Sequence, residues 1–256
     1  MSNVTTEITD GIAQVTLTRP DKMNAISMEM LDEVIAAAHA LRDTDIRCVV
    51  LAGEGRAFCA GIDIMSLSSL LGQDMNEVLV ARTHGDANRF QEFSLAWRAL
   101  PVPVIAALHG VCFGAGLQLA LGADIRVCAP DAKLSIMEMK WGLVPDMGGM
   151  VELPRLMRGD VLRRMTYTAE IVSGEAALGH GLVTELAEDP QARALELARE
   201  IAGQSPSAIR AAKRLIAKAE TASSAEVLMA ESQEQAALIG TPDQMAAIQR
   251  GMHRKA

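Results

Sequence analysis

Two β-branched apolar segments, residues 47–51 and 102–108, each give way to a glycine-punctuated run, and this recurrence is the tightest constraint on the fold. The runs are Phe58-Cys59-Ala60-Gly61-Ile62-Asp63-Ile64 and His109-Gly110-Val111-Cys112-Phe113-Gly114-Ala115-Gly116-Leu117-Gln118. Strand-like segments that turn through glycine let the backbone approach a ligand closely and present its N–H groups. A pair of such donors suits negative charge developing on a thioester or ester oxygen, where losing one donor costs about 10²–10³ in rate. The second run leads into an apolar helical stretch, residues 117–121, whose N-terminus adds positive partial charge.

The rest of the chain reads as mixed α/β. Residues 5–9 and 12–18 flank Asp10-Gly11, a favoured hairpin turn, and Arg19-Pro20-Asp21-Lys22 breaks the second strand. Ser27 caps a helix running to about residue 41, with Leu31, Val34, Ile35 and Ala38 on one face and Glu29 in the first turn. A strand at 46–51, a helical region at 76–100, a strand at 102–108, a short helix and a strand at 125–128 follow. The Ser, Leu and Gly stretch 65–74 has no period and reads as a substrate-side loop or lid. After Asp189, three starts of one kind, Asp189-Pro190, Ser205-Pro206 and Thr241-Pro242, mark capped helices, with Gly203 and Gly240 as stops. Residues 1–188 thus form a core and residues 189–256 a helical C-terminal region.

Composition narrows the function. A net charge of −8 opposes general affinity for nucleic acid or anionic membrane. Arg210, Lys213, Arg214 and Lys218 fall on one side of a helix and read as a solvated face, with phosphate contact as the other reading. Four cysteines without a CxxC pair, and five histidines without metal spacing, suggest no metal site and no disulfide framework. No leader-like N-terminus or bilayer-length apolar window occurs, and Arg254-Lys255-Ala256 is not a Ser-Lys-Leu signal, so a soluble cytoplasmic protein is expected. With 3% aromatic residues and 15 Met, the interior rests on aliphatic side chains and methionine, which line either a core or an adaptable acyl pocket. Neither GxGxxG, GxxxxGK[ST] nor GxSxG is present.

Two carboxylates, Glu138 and Asp146, lie in the apolar, Gly/Pro-punctuated run Met137 to Gly149. Burial there raises a carboxyl pKa and fits it to carry a proton beside a carbonyl; helix capping or a surface ion pair is the plainer alternative. Together with Arg19-Pro20-Asp21-Lys22-Met23-Asn24-Ala25, Arg56-Ala57-Phe58-Cys59-Ala60-Gly61-Ile62-Asp63, Gly110 to Gln118 with Ala123-Asp124-Ile125-Arg126, and Gly142-Leu143-Val144-Pro145-Asp146-Met147-Gly148-Gly149, the chain resembles the enoyl-CoA hydratase/isomerase family, the crotonase superfamily, over nearly its whole length.

The resemblance implies a crotonase-like spiral of β-β-α units closed by a helical trimerisation region, giving a homotrimer or a dimer of trimers. It implies oxyanion donors at the Ile62 and Ala115 N–H groups, and CoA contacts around Lys22, Met23, Ala60, Asp63, Ile64 and Met65. Coenzyme A would be part of the substrate, an acyl-CoA thioester, and no separate cofactor is implied. Hydratases of the family carry glutamates at the positions of Gln118 and Glu138, whereas similar isomerases use an aspartate at the position of Asp146. Gln118 orients but does not exchange protons near neutral pH. Double-bond isomerisation by Glu138 and Asp146 is therefore the favoured expectation. Hydration of a trans-2-enoyl-CoA is the alternative, and a non-catalytic acyl-CoA or RNA binding module is the alternative of another class.

Overall fold

The structure, a computed structural model, describes residues 2–253; the Arg254-Lys255-Ala256 tripeptide lies outside them. Strands β1 (Val4–Thr9) and β2 (Ile12–Leu17) pair antiparallel across Asp10 and Gly11, whose φ angles of 52° and 76° are those of a primed hairpin turn. A 3₁₀ turn at Pro20–Lys22 leads to α1 (Met28–Leu41), where the Ser27 hydroxyl accepts from the Met30 N–H as the sequence predicts. There follow β3 (Cys48–Gly53), α2 (Ile64–Ser68), α3 (Arg89–Arg98), β4 (Val104–Leu108), β5 (Val111–Phe113), α4 (Ala115–Leu121), β6 (Ile125–Cys128) and β7 (Lys133–Ser135). A second 3₁₀ turn, Glu138–Trp141, precedes α5 (Gly149–Leu156), α6 (Gly159–Thr168), β8 (Val172–Ser173), α7 (Gly174–Gly179) and β9 (Glu185–Leu186). Helices α8 (Pro190–Ala202), α9 (Pro206–Ala219), α10 (Ser224–Leu238) and α11 (Pro242–His253) complete the described chain.

The strands form a six-stranded sheet, β1-β2-β3-β4-β6-β9, and a three-stranded sheet, β5-β7-β8. From β2 to β9 the neighbours in the larger sheet run parallel. After β3 the chain reaches the second layer at Cys59, which bridges Cys112 of β5; after β4 it supplies β5, and after β6 it supplies β7. Each circuit lays one segment on each sheet and advances by one strand, which is the spiral. Gly110 makes one crossing possible: a Cβ there would sit 1.9 Å from the Arg56 carbonyl oxygen.

Both faces of the large sheet are covered, which explains its nearly continuous apolar strands. Val15, Leu17, Val49, Leu51, Ala106 and Leu108 face the main core with α1, α3 and α4. Cys48, Val50, Ile105, Ala107 and Val127 form a smaller core under Ala194 and Ala198 of α8. Thus α8 roofs the sheet, while Leu228, Met229, Ile239, Met245, Ile248 and Met252, five of them on α10 and α11 and Ile239 between the two helices, stay exposed on this chain.

Three expectations change. Residues 76–100 do not form one helical region: a π-helical turn at Asn76–Val80 is separated from α3 by an irregular segment. The reason is a local start signal, because Asn88 accepts from the Gln91 N–H and the Gln91 side chain accepts from the Asn88 N–H, a reciprocal cap that begins a new helix. The 65–74 stretch is not wholly irregular either, since the Asp63 carboxylate accepts from the Met65 N–H and starts α2. The basic side of α9 is only in part a free solvated face: Arg214 and Lys218 are exposed, while Arg210 and Lys213 are half-buried. Arg210 donates to the Ile46 carbonyl, Lys213 to the Val102 carbonyl and Asp124, and Arg214 to Glu234, so three of the four side chains fasten α9 to the connections before β3, β4 and β6 and to α10.

All four cysteines are buried. Burial pushes the thiols of Cys48, Cys59 and Cys128 up to about 12, and that of Cys112 well above its ordinary value. The thiolate is the reactive form. The expected result is that iodoacetamide near neutral pH modifies none of them in the folded protein and all of them in guanidinium, as read by intact mass.

Candidate active site

The first glycine turn is held from beneath by the loop that precedes α1. Asn24, fully buried with φ of 54°, donates through Nδ2 to the Glu54 and Ala57 carbonyls at 3.0 and 2.8 Å and accepts from the Arg19 N–H at 2.9 Å. The Cys59 thiol donates to the Asn24 carbonyl at 3.0 Å and accepts from the Gly61 N–H at 3.4 Å. The Ala60 N–H donates to Met23 and the Asp63 N–H to Ile26, while the Ile26 N–H donates to the Gly61 carbonyl. The amides of Ala60, Gly61 and Asp63 are thus committed, but the Ile62 N–H has no acceptor among the described residues.

The second turn repeats the pattern. The Gly114 N–H donates to the Ser135 carbonyl at 3.0 Å, and Gly114 takes φ 49° and ψ −117°, a conformation a side chain disfavours. Ala115 is the first residue of α4, where N–H groups have no intrahelical acceptor; the first helical bond runs from the Gln118 N–H to the Gly114 carbonyl. The turns abut. A Cβ on Gly61, whose φ is 97°, would lie 2.9 Å from the Phe113 oxygen and 3.8 Å from the Ala115 nitrogen.

Both turns open on one cavity of about 250 Å³, lined in part by Ala60, Gly61, Ile62, Gly114, Ala115 and Glu138. Ile64, Leu67, Phe113, Met137, Trp141, Leu143 and Ile171 supply apolar wall, and Lys140 a single cation. Of the residues expected to meet CoA, Ala60 and Ile64 are in the wall. Lys22, Met23, Asp63 and Met65 are not; the Asp63 carboxylate pairs with Arg19 at 2.9 Å and caps α2.

Glu138 opens the second 3₁₀ turn. Its Oε1 accepts from Gln118 Nε2 at 2.6 Å, while its Oε2 is buried and has no hydrogen-bond partner among the described residues. Burial raises its pKa above the ordinary carboxylate value, the neighbouring Asp146 charge adds to the rise, and the Gln118 bond opposes it. Asp146 has an exposed residue surface and lies outside the cavity wall, yet partial desolvation by its loop raises its carboxyl pKa as well. Gln118 is buried and absent from the wall; its Oε1 accepts from the Met147 and Gly149 N–H groups at 2.8 and 3.1 Å. Two free amides and a tuned carboxylate around an apolar cavity can hold an enolate-like oxygen and move a proton beside it.

Sequence reasoning missed Asn24 and Cys59 as the supports of the first turn, and Ile171 as wall, whereas Leu67 falls in the stretch expected on the substrate side. A run containing a buried-compatible Asn between Met23 and Ala25 is the only signal for the first; nothing local marks Ile171, which the second sheet and α6 bring in from a distance.

The sequence profile described as enoyl-CoA hydratase/isomerase matches residues 7–255. The chain is 33% identical over 253 residues to the mitochondrial Delta(3,5)-Delta(2,4)-dienoyl-CoA isomerase of Homo sapiens, covering 95% of this chain and 77% of that protein. The enoyl-CoA hydratase structure from Mycobacterium smegmatis superposes with a TM-score of 0.88 at 27% identity, covering 99% of this chain and 97% of the other. A Thermobifida fusca YX relative solved in complex with acetoacetyl-CoA gives 0.84 at 29% identity, covering 92% and 94%. With this spiral and these two turns, the chain belongs to the enoyl-CoA hydratase/isomerase family. It is an enzyme of that family with the crotonase fold and a helical C-terminal region.

Proposed function

We propose that this enzyme shifts a carbon–carbon double bond in an acyl-CoA thioester. The thioester oxygen sits on the Ile62 and Ala115 N–H groups, which stabilise the dienolate that forms when a proton leaves one carbon. Glu138 and Asp146 take that proton and return it to another carbon, so substrate and product are isomers and no water is added. The observation that carries the reading is the pairing of two acceptor-free amides with a Glu138 whose partner at the second site is an amide, Gln118, bound to protein at both ends. The similarity to a dienoyl-CoA isomerase and to a protein crystallised with acetoacetyl-CoA supports the same class of substrate. CoA would run past Ala60 and Ile64, with Lys22, Met23, Asp63 and Met65 flanking it. The exposed apolar residues of α10 and α11 support a homotrimer or a dimer of trimers, which light scattering would measure directly.

Purified protein is to be incubated with trans-3-enoyl-, 3,5-dienoyl- and trans-2-enoyl-CoA of several chain lengths, and the thioesters separated. Double-bond migration without a mass change is the expected outcome. A gain of 18 mass units, which is water, as the fast reaction would reverse the assignment in favour of hydration.

A further inference from the structure

One side chain joins the two segments that carry the carboxylates. Gln118, 3% exposed on α4, donates to Glu138 Oε1 at 2.6 Å and accepts from the Met147 and Gly149 N–H groups at 2.8 and 3.1 Å. Those main-chain donors fix which way round the amide lies, because its NH₂ end cannot face them. Gly149 leaves room for the joint: a Cβ there would sit 2.8 Å from Gln118 Cγ and 3.0 Å from its Oε1.

We propose that Gln118 is a positioning residue that restricts Glu138 to proton transfer through a single oxygen, Oε2, and holds the Asp146 loop against it. An amide N–H meets Oε1 as an acceptor in either protonation state of Glu138, so the exchangeable proton resides on Oε2. That oxygen is the buried one without a partner. The inference rests on the reading of Glu138 as a proton carrier.

A glutamate at position 118 would keep an oxygen for the Met147 and Gly149 amides but set its other oxygen against Glu138 Oε1. Two carboxylates at hydrogen-bond distance share one proton, and one of them ionises only well above the ordinary range. Other charges near Glu138 do not substitute for Gln118. Asp146 lies on the following loop, Lys140 lines the cavity, α4 carries no ionisable side chain, and α6, packed on the 3₁₀ turn, holds Asp160, Arg163 and Arg164 at exposed positions.

The test is a ¹³C NMR titration of glutamate-labelled protein without substrate, with the Glu138 signal assigned by Glu138→Gln. In Gln118→Glu the Glu138 midpoint is expected to rise by about one unit or more, and the acid limb of the pH–rate profile to move with it. In the unsubstituted protein the Gln118 side-chain amide is expected to titrate with the same midpoint as Glu138, a readout that needs no variant to fold. An unmoved midpoint in Gln118→Glu, or a Gln118 amide insensitive to Glu138, overturns the proposal whatever the activity. If both NMR results hold while no thioester on the panel is isomerised, the positioning role stands and the proposed reaction falls.

Discussion

Ala115→Pro is expected to lower turnover by about 10²–10³-fold, the loss typical of deleting one oxyanion donor, while the protein keeps its fold. The substitution removes the N–H and no functional side chain. Proline is tolerated at the first position of a helix because that amide has no intrahelical acceptor, and here the first helical bond starts from the Gln118 N–H. The preceding residue is Gly114, which lacks the Cβ that proline would otherwise crowd. Ala115→Ser, which retains the N–H, is the control and is expected to lose far less. Steady-state rates on the isomerised thioester, beside thermal melts of the three proteins, make the comparison. Equal rates in the proline and serine variants would show that the Ala115 amide carries no transition-state charge.

The local signals in the chain were strong enough to read much of this site. Asp10-Gly11, Ser27 and the proline-started C-terminal helices each act through their own backbone, and each appears where the residues place it. The two glycine turns were equally legible, because a positive φ or a close backbone approach leaves little choice of residue at Gly61, Gly110 and Gly114. What escaped depends on partners far apart in sequence. Nothing near Gln118 reveals that its amide is taken by residues 20 to 31 positions further on, and the basic stripe of α9 could not announce that two of its partners are carbonyls in the connections leading into β3 and β4. Residues 76–100 misled for a different reason: the polar run Arg82 to Asp86, with Gly85 at φ 63°, interrupts the apolar spacing, and the reciprocal Asn88–Gln91 cap starts a new helix after it.

Asp146→Asn is expected to remove most turnover, by roughly 10²–10⁴, with acyl-CoA affinity nearly unchanged, because the amide keeps the shape but cannot exchange a proton. The pH dependence tests the coupling between the two carboxyls. A base works in its ionised form, and desolvation holds both the Asp146 and Glu138 carboxyls above their ordinary pKa values, so the rate of the unsubstituted enzyme falls at a higher pH than free carboxylates would dictate. The Asp146 charge is one of the causes that raise Glu138. Removing it lets Glu138 ionise more easily, and the residual activity of Asp146→Asn should therefore lose its acid limb at a lower pH than the parent. The limb follows the Asp146 charge in either role, whereas a purely structural Asp146 would weaken binding and turnover together, so the KM and the kcat of one variant decide between a group that carries the proton and one that only shapes the loop, and the pH profile checks its coupling to Glu138.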